Sequence, residues 1–183
     1  MKKILGKLVL GLVISAFLYY SGPVHADSDL AVGGSASVDL DFQIQIPTIL
    51  FLQVGTIGAT IDTISFSVTD IPGTGAVAGA SSGANPVPVR AAGFVGSGST
   101  MTLTADSSTA LTDGANTIPF SEISWTATGD FAGGTFSDAA AQQLDQFTGP
   151  GNRTGTYSFS YDNDTYYPAS TYDGTVSYTL SSP

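Results

Sequence analysis

Residues 37–47 of the chain read SVDLDFQIQIP. Val38, Leu40, Phe42, Ile44 and Ile46 are apolar, and Asp39, Asp41, Gln43 and Gln45 between them are polar. Successive side chains of a strand point to opposite faces, so an unbroken period of two predicts a β-strand with one buried face. The same register reaches back through Leu30, Val32 and Ala36. The open question is whether that apolar face fills the core of this chain or of another molecule.

Short alternations recur along the rest of the chain, separated by Gly, Asp, Asn and Pro. Ile49–Val54 is almost wholly apolar and predicts a strand buried on both faces. Ile64, Phe66 and Val68 alternate, as do Val87, Val89 and Ala91, then Met101, Leu103 and Ala105. Ile123 with Trp125, Tyr157 with Phe159 and Tyr161, and Val176 with Tyr178 and Leu180 continue the pattern. Their spacing predicts about eight or nine strands in an all-β, immunoglobulin-like antiparallel sandwich. Their Val, Thr, Ser and aromatic content suits a pleated surface.

Two segments depart from the alternation. In SDAAAQQLDQF, Ser137 is a candidate N-cap and Asp138 suits a first turn, while Ala141, Leu144 and Phe147 share one helical face ahead of Gly149 and Pro150. These features predict one short helix. Residues 72–86 are rich in Gly, Ala and Ser and read as a long flexible connection.

The beginning of the chain reads as an export signal rather than as part of the fold. Lys2, Lys3 and Lys7 precede an apolar run over residues 8–20, and Val24-His25-Ala26 supplies small residues at the spacing of a cleavage site. The expectation is a signal peptide over residues 1–26, an N-terminal extension over 27–37, and a single sandwich domain over 38–183. The mature protein is then secreted to the periplasm or the cell surface, with no membrane span.

Cleavage would remove the only His and every Lys, leaving Arg90 and Arg153 against fifteen acidic residues, a net charge of −13. Such a chain has no basic patch for nucleic acid or an anionic membrane surface. All the acids but Glu122 are Asp, a turn residue. There is no Cys, so neither disulfides nor a Cys/His zinc site are available.

The remaining motifs carry little chemistry. Residues 79–83 match G-x-S-x-G, but Ser81 would have no His or Lys as general base, and no strand-to-helix turn surrounds it. Gly73-Thr74-Gly75 lacks the βαβ unit of a dinucleotide site. A carboxylate-only glycosidase would rest on Glu122, beside Ile123 and Trp125. Asp162, Asp164 and Asp173, with Asn163, offer oxygen ligands of the kind Ca²⁺ takes, although their spacing is not that of an EF-hand and a turn explains them equally. Tyr166, Tyr167 and Tyr172 would serve either as a sugar-stacking platform or as edge packing. The balance predicts no enzyme and no cofactor.

Both ends of the chain resemble chaperone–usher pilins, and the absence of Cys resembles their disulfide-free branch with its spore coat U-like relatives. The N-terminal ADSDLAVGGSASVDLDFQIQIP is similar to a pilin extension, with alternating apolar residues and the pair Gly33-Gly34. The C-terminal STYDGTVSYTL is similar to a pilin final strand, with Tyr172, Gly174, Val176, Tyr178 and Leu180 in the matching positions. The resemblance implies a structural surface subunit that self-associates into filaments by donating a strand to a neighbour, held beforehand by a periplasmic chaperone. Leu30, Val32 and Ala36 are then the favoured donor face. Val38, Leu40, Phe42, Ile44 and Ile46 either continue it or, as the sequence slightly favours, form the domain's own first strand. The alternative from another class is a carbohydrate-binding module built on the three Tyr, with or without Ca²⁺.

Overall fold

The computed structural model describes residues 28–58 and 60–183. The expected signal peptide lies outside the described residues. Two compact units divide the chain between Ile44 and Gln45.

In the second unit the strands follow one another as β1 (Ile49–Val54), β2 (Ile64–Ser65), β3 (Val77–Ala78), β4 (Ala80–Ser81), β5 (Val87–Phe94), β6 (Thr100–Asp106), β7 (Leu111–Thr112), β8 (Thr117–Ile118), β9 (Ile123–Gly129), β10 (Gly134–Thr135), β11 (Gln142–Thr148), β12 (Gly151–Tyr161) and β13 (Ser177–Ser181). The larger sheet runs β1-β5-β12-β9-β10, with β3 also pairing to β12. The smaller runs β11-β6-β13, and the short pairs β2-β4 and β7-β8 stand apart from both. Every ladder is antiparallel. The protein is an all-β sandwich, as its alternation predicts.

The period of two sets which side chains face inward. Val87, Val89 and Ala91 of β5 and Tyr157 and Tyr161 of β12 are buried, together with Ile123 and Trp125 of β9. From the smaller sheet, Met101, Leu103 and Ala105 of β6 and Phe147 of β11 join the same core. Aromatic rings fill its centre. Trp125 and Phe136 have centroids 4.9 Å apart, Trp125 and Tyr157 5.9 Å, and Phe136 stacks on Phe159 at 6.3 Å. The Trp125 indole N–H donates to the Ala132 carbonyl at 3.0 Å, so the largest core residue buries no unpaired donor.

Three expectations are corrected. Residues 137–149 form no helix, and the only helical turn among the described residues is a 3₁₀ turn at Phe120–Glu122. Most of the segment is instead β11, paired to β6, with a register shift between Gln143 and Asp145. The β-bulge adds a residue there, turning a spacing of two into the spacing of three between Leu144 and Phe147 that mimics a helical face. Asp138 has a φ of 55°, in the left-handed region, and its carboxylate accepts the Ser121 N–H at 3.0 Å, so it shapes a turn rather than a first helical turn.

The second correction is β1, which is an edge strand and not buried on both faces. Its outward Ile49 and Phe51 are exposed, and the Arg90 guanidinium lies 5.1 Å from the Phe51 ring centroid. The third concerns residues 72–86, part of which is tied down. Val77–Ala78 pairs with β12, Ala80–Ser81 pairs with β2, and the Gly79 N–H between them donates to the Phe159 carbonyl at 2.9 Å.

Leu103 is 0 % exposed at the middle of the central strand of the smaller sheet. Leu103→Ala is therefore expected to cost roughly 2–5 kcal/mol, read from the denaturant midpoint at unchanged m-value.

Candidate functional site

The two sheets are unequal, and the difference falls on one side of the core. β1 ends the larger sheet and β13 ends the smaller one, each with a free edge. The two edges come within 8 Å of each other, Cα to Cα, over part of their length, and a cleft of about 610 Å³ is lined by residues of both. Leu52, Val54, Val176 and Tyr178 line its walls, and Val87, Ile123, Phe136 and Phe159 reach its floor. A second cleft of about 660 Å³, lined by Val68, Ile71, Tyr161, Tyr167 and Tyr172, adjoins it through the shared Ile64, Phe66, Leu111 and Ile123. The two adjoining clefts make up a trough lined by apolar and polar side chains together.

The strands along the trough are paired on one side only, and parts of their alternation enter no ladder. Ile64, Phe66 and Val68 alternate as a strand should, yet only Ile64–Ser65 enters a ladder. Val176 extends the alternation of Tyr178 and Leu180, but pairing begins at Ser177. On β6 the inward side chains are wholly buried, whereas inward Tyr178 and Leu180 of β13 are only half-buried. Phe51 is 43 % exposed and Ile61 87 % exposed, with Ile57, Val68 and Ile71 also open to solvent. Fully covering a side chain of this size is worth about 1.5–3 kcal/mol. A bare trough thus forgoes several such contributions and presents free strand edges to any passing chain.

Local chemistry holds the trough open. The Asp62 carboxylate accepts the Thr56 N–H at 2.6 Å, and the Thr56 hydroxyl accepts the Ala84 N–H at 3.0 Å, bracing the loop after β1. Buried Asn163 donates from its amide to the Asp70 and Ile71 carbonyls at 3.2 and 3.4 Å, fixing the far wall. Tyr172 and Gly174 lead into β13, and Gly174 lies in close approach to its neighbours. A Cβ there would stand 3.0 Å from the Phe120 ring and 3.1 Å from the Leu111 Cα.

The N-terminal unit is a separate body of chain. Its described part, residues 28–44, is exposed throughout and enters no ladder, and the same holds for Ile46. Phe42 and Ile44 are each 86 % exposed, and Leu30, Val32, Ala36, Val38 and Leu40 are exposed as well. The first strand of the second unit is β1.

The other candidate groups are occupied in building loops. Tyr167 donates its hydroxyl to the Glu122 carboxylate at 3.0 Å, and Tyr172 donates to the Pro168 carbonyl at 2.9 Å. Tyr166 is 77 % exposed, Tyr167 and Tyr172 are half-buried, and all three line the second cleft. The Asp162 N–H donates to the Glu122 carbonyl at 2.7 Å, and Asp173 exchanges backbone hydrogen bonds with Thr112 at 2.9 and 3.0 Å. Among the described residues no group of three or more His, Cys, Asp or Glu is placed to hold a metal ion. Ser81 lies on β4, and its hydroxyl accepts the Gly83 N–H at 3.1 Å. Among the described residues no helix is long and apolar enough to cross a membrane.

Compared with family models, curated proteins and solved structures, the chain matches none.

Burial and the hydrogen bond to Glu122 push the Tyr167 phenol from 10.0 up to about 12. The folded state thus favours the neutral phenol. Its contribution to stability is full below the ordinary tyrosine range and is lost as pH rises through the folded value. Tyr167→Phe should make stability fall less steeply between pH 10 and 12 than in the parent, measured by denaturant unfolding across that range.

Proposed function

We propose that the protein is a secreted structural subunit of a bacterial surface assembly, and that its sandwich is completed by a strand from a neighbouring copy. The observation that carries this reading is the cleft lined by residues of β1 and β13, the edge strands of the two sheets, along which Phe66, Phe159 and Tyr178 are only partly buried. A strand laid into it would satisfy both needs at once, pairing backbone groups and covering the apolar floor. The same chain carries an unpaired segment of the required chemistry, apolar on one face and polar on the other.

Donation from copy to copy is a head-to-tail contact, which does not close and so extends into a filament. Before assembly the trough is an aggregation hazard, which gives a periplasmic chaperone a role in occupying it. The acidic, cysteine-free chain suits this reading, since solubility comes from charge and cohesion from packing and sheet hydrogen bonds. The sugar-platform reading is less favoured, because only Tyr166 of the three Tyr is exposed.

The test is the size of the exported protein and of a variant lacking residues 28–46, by light scattering and negative-stain microscopy. The parent is expected to form filaments and the variant to remain monomeric. A parent that stays monomeric at all concentrations contradicts the proposal.

A further inference from the structure

We propose that the second cleft binds a quaternary ammonium compound, a small organic cation whose methylated headgroup sits among the rings of Phe66, Tyr161, Tyr166, Tyr167 and Tyr172.

Residues 161–173 read YDNDTYYPASTYD, with four Tyr, three Asp and no basic residue. Hydrogen bonds fold this run into one wall. The Tyr172 hydroxyl donates to the Pro168 carbonyl at 2.9 Å, and the Asp173 backbone is held by Thr112. All four Tyr therefore line a single cleft of about 660 Å³, a size typical of small-molecule sites. Phe66 faces them from another part of the chain. Its ring centroid lies 6.1 Å from that of Tyr161 with the planes tilted by 48°, so the two rings form a corner rather than a stack. Tyr161 is buried, Phe66, Tyr167 and Tyr172 are half-buried, and Tyr166 is open to solvent.

The charge around the cleft has one sign. Asp70 and Asp173 line it and no Lys, Arg or His does. The two basic residues in the described chain are engaged on the larger sheet. Arg90 donates to Asn152 at 2.7 Å and lies over Phe51, and Arg153 lies over Phe147. The phenols register the negative field. Burial raises the Tyr161 phenol most, and the Glu122 and Asp162 carboxylates add to it. Tyr172 is raised by burial and then by the Asp113 carboxylate. Such a site repels anions and attracts cations.

Aromatic faces are negative, and a cation set against them is stabilised without any hydrogen bond. Donors in the wall are already spent. Tyr167 donates to Glu122, Tyr172 to Pro168, and the Asn163 amide to the Asp70 and Ile71 carbonyls. A sugar asks for donors and acceptors together, whereas a trimethylammonium group asks only for ring faces and nearby carboxylates. A bare ammonium holds its water tightly. Methyl groups instead spread the charge and bury against Ile64, Val68 and Ile71, which also line the cleft. With no basic residue to meet it, a carboxylate on the ligand's tail is disfavoured, so choline suits the cleft better than betaine. All of these residues belong to one copy, and occupancy does not depend on assembly.

The experiment titrates the exported protein, by calorimetry at low salt, with choline, betaine, cellobiose and 3,3-dimethyl-1-butanol, the uncharged isostere of choline. Choline is expected to bind, and the isostere to bind about fivefold or more weakly. Tyr166→Ala and Asp173→Asn change exposed residues and should leave the Tm unchanged. Each is expected to weaken choline binding about two- to fivefold. Co-sedimentation with phosphatidylcholine vesicles would support the site and place the headgroup on a lipid, and choline binding without it would support a free solute. The proposal is overturned if choline does not bind, if the isostere or betaine binds as tightly, or if both variants bind choline as the parent does. Binding of cellobiose alone would assign the cleft to a sugar instead.

Discussion

The constraint on which the structure depends is that a sandwich core must be covered from both sides along its whole width. Here a path of five strands, β1-β5-β12-β9-β10, faces only three, β11-β6-β13. In the middle the match is good, and Tyr157, Met101 and Leu103 are sealed. At the side where β1 and β13 end, Phe136 is sealed but Phe159 is only partly buried, and a cleft lies against the core. Tyr178 and Leu180 are half-buried there, and the alternation after Ile64 enters a ladder for only two residues.

The aromatic cluster makes the opening tolerable. Rings of Trp125, Phe136, Tyr157 and Phe159 contact one another, so the floor keeps its shape without a lid. The loops that frame it are fixed by polar contacts, with Asp62 at one wall and Asn163 at the other. The cleft lined by β1 and β13 is preformed and bounded by strand edges, which favours an extended, alternating strand there over a compact ligand. The tyrosine-rich residues at 163–173 contribute one wall of the second cleft.

Much of the fold was legible in the sequence because alternation is local information. Val87 to Ala91, Met101 to Ala105 and Tyr157 to Tyr161 each fall in a strand whose alternate residues face inward. The misreadings arose where distant pairing overrode the local pattern. The bulge opposite β6 gave Leu144 and Phe147 a helical spacing, and β1 looked doubly buried because composition does not reveal that a strand will lie at an edge. The candidate site was half legible. The alternation of residues 38–46 and of Val176, Tyr178 and Leu180 was plain, but the trough is made by the order of strands in two sheets. The wall at Ile64, Phe66 and Val68 carried a strand signal without any sign that it would find a partner for only two residues.

The central claim is that a strand missing from each sandwich is supplied by another copy. Amide hydrogen exchange on the assembled protein and on its dissociated monomer tests it most directly. The account predicts fast exchange over residues 38–46 and 64–68 in the monomer, and slow exchange over both in the assembly. Residues 38–46 that exchange fast in the assembly, or that are already protected in the monomer, would contradict it.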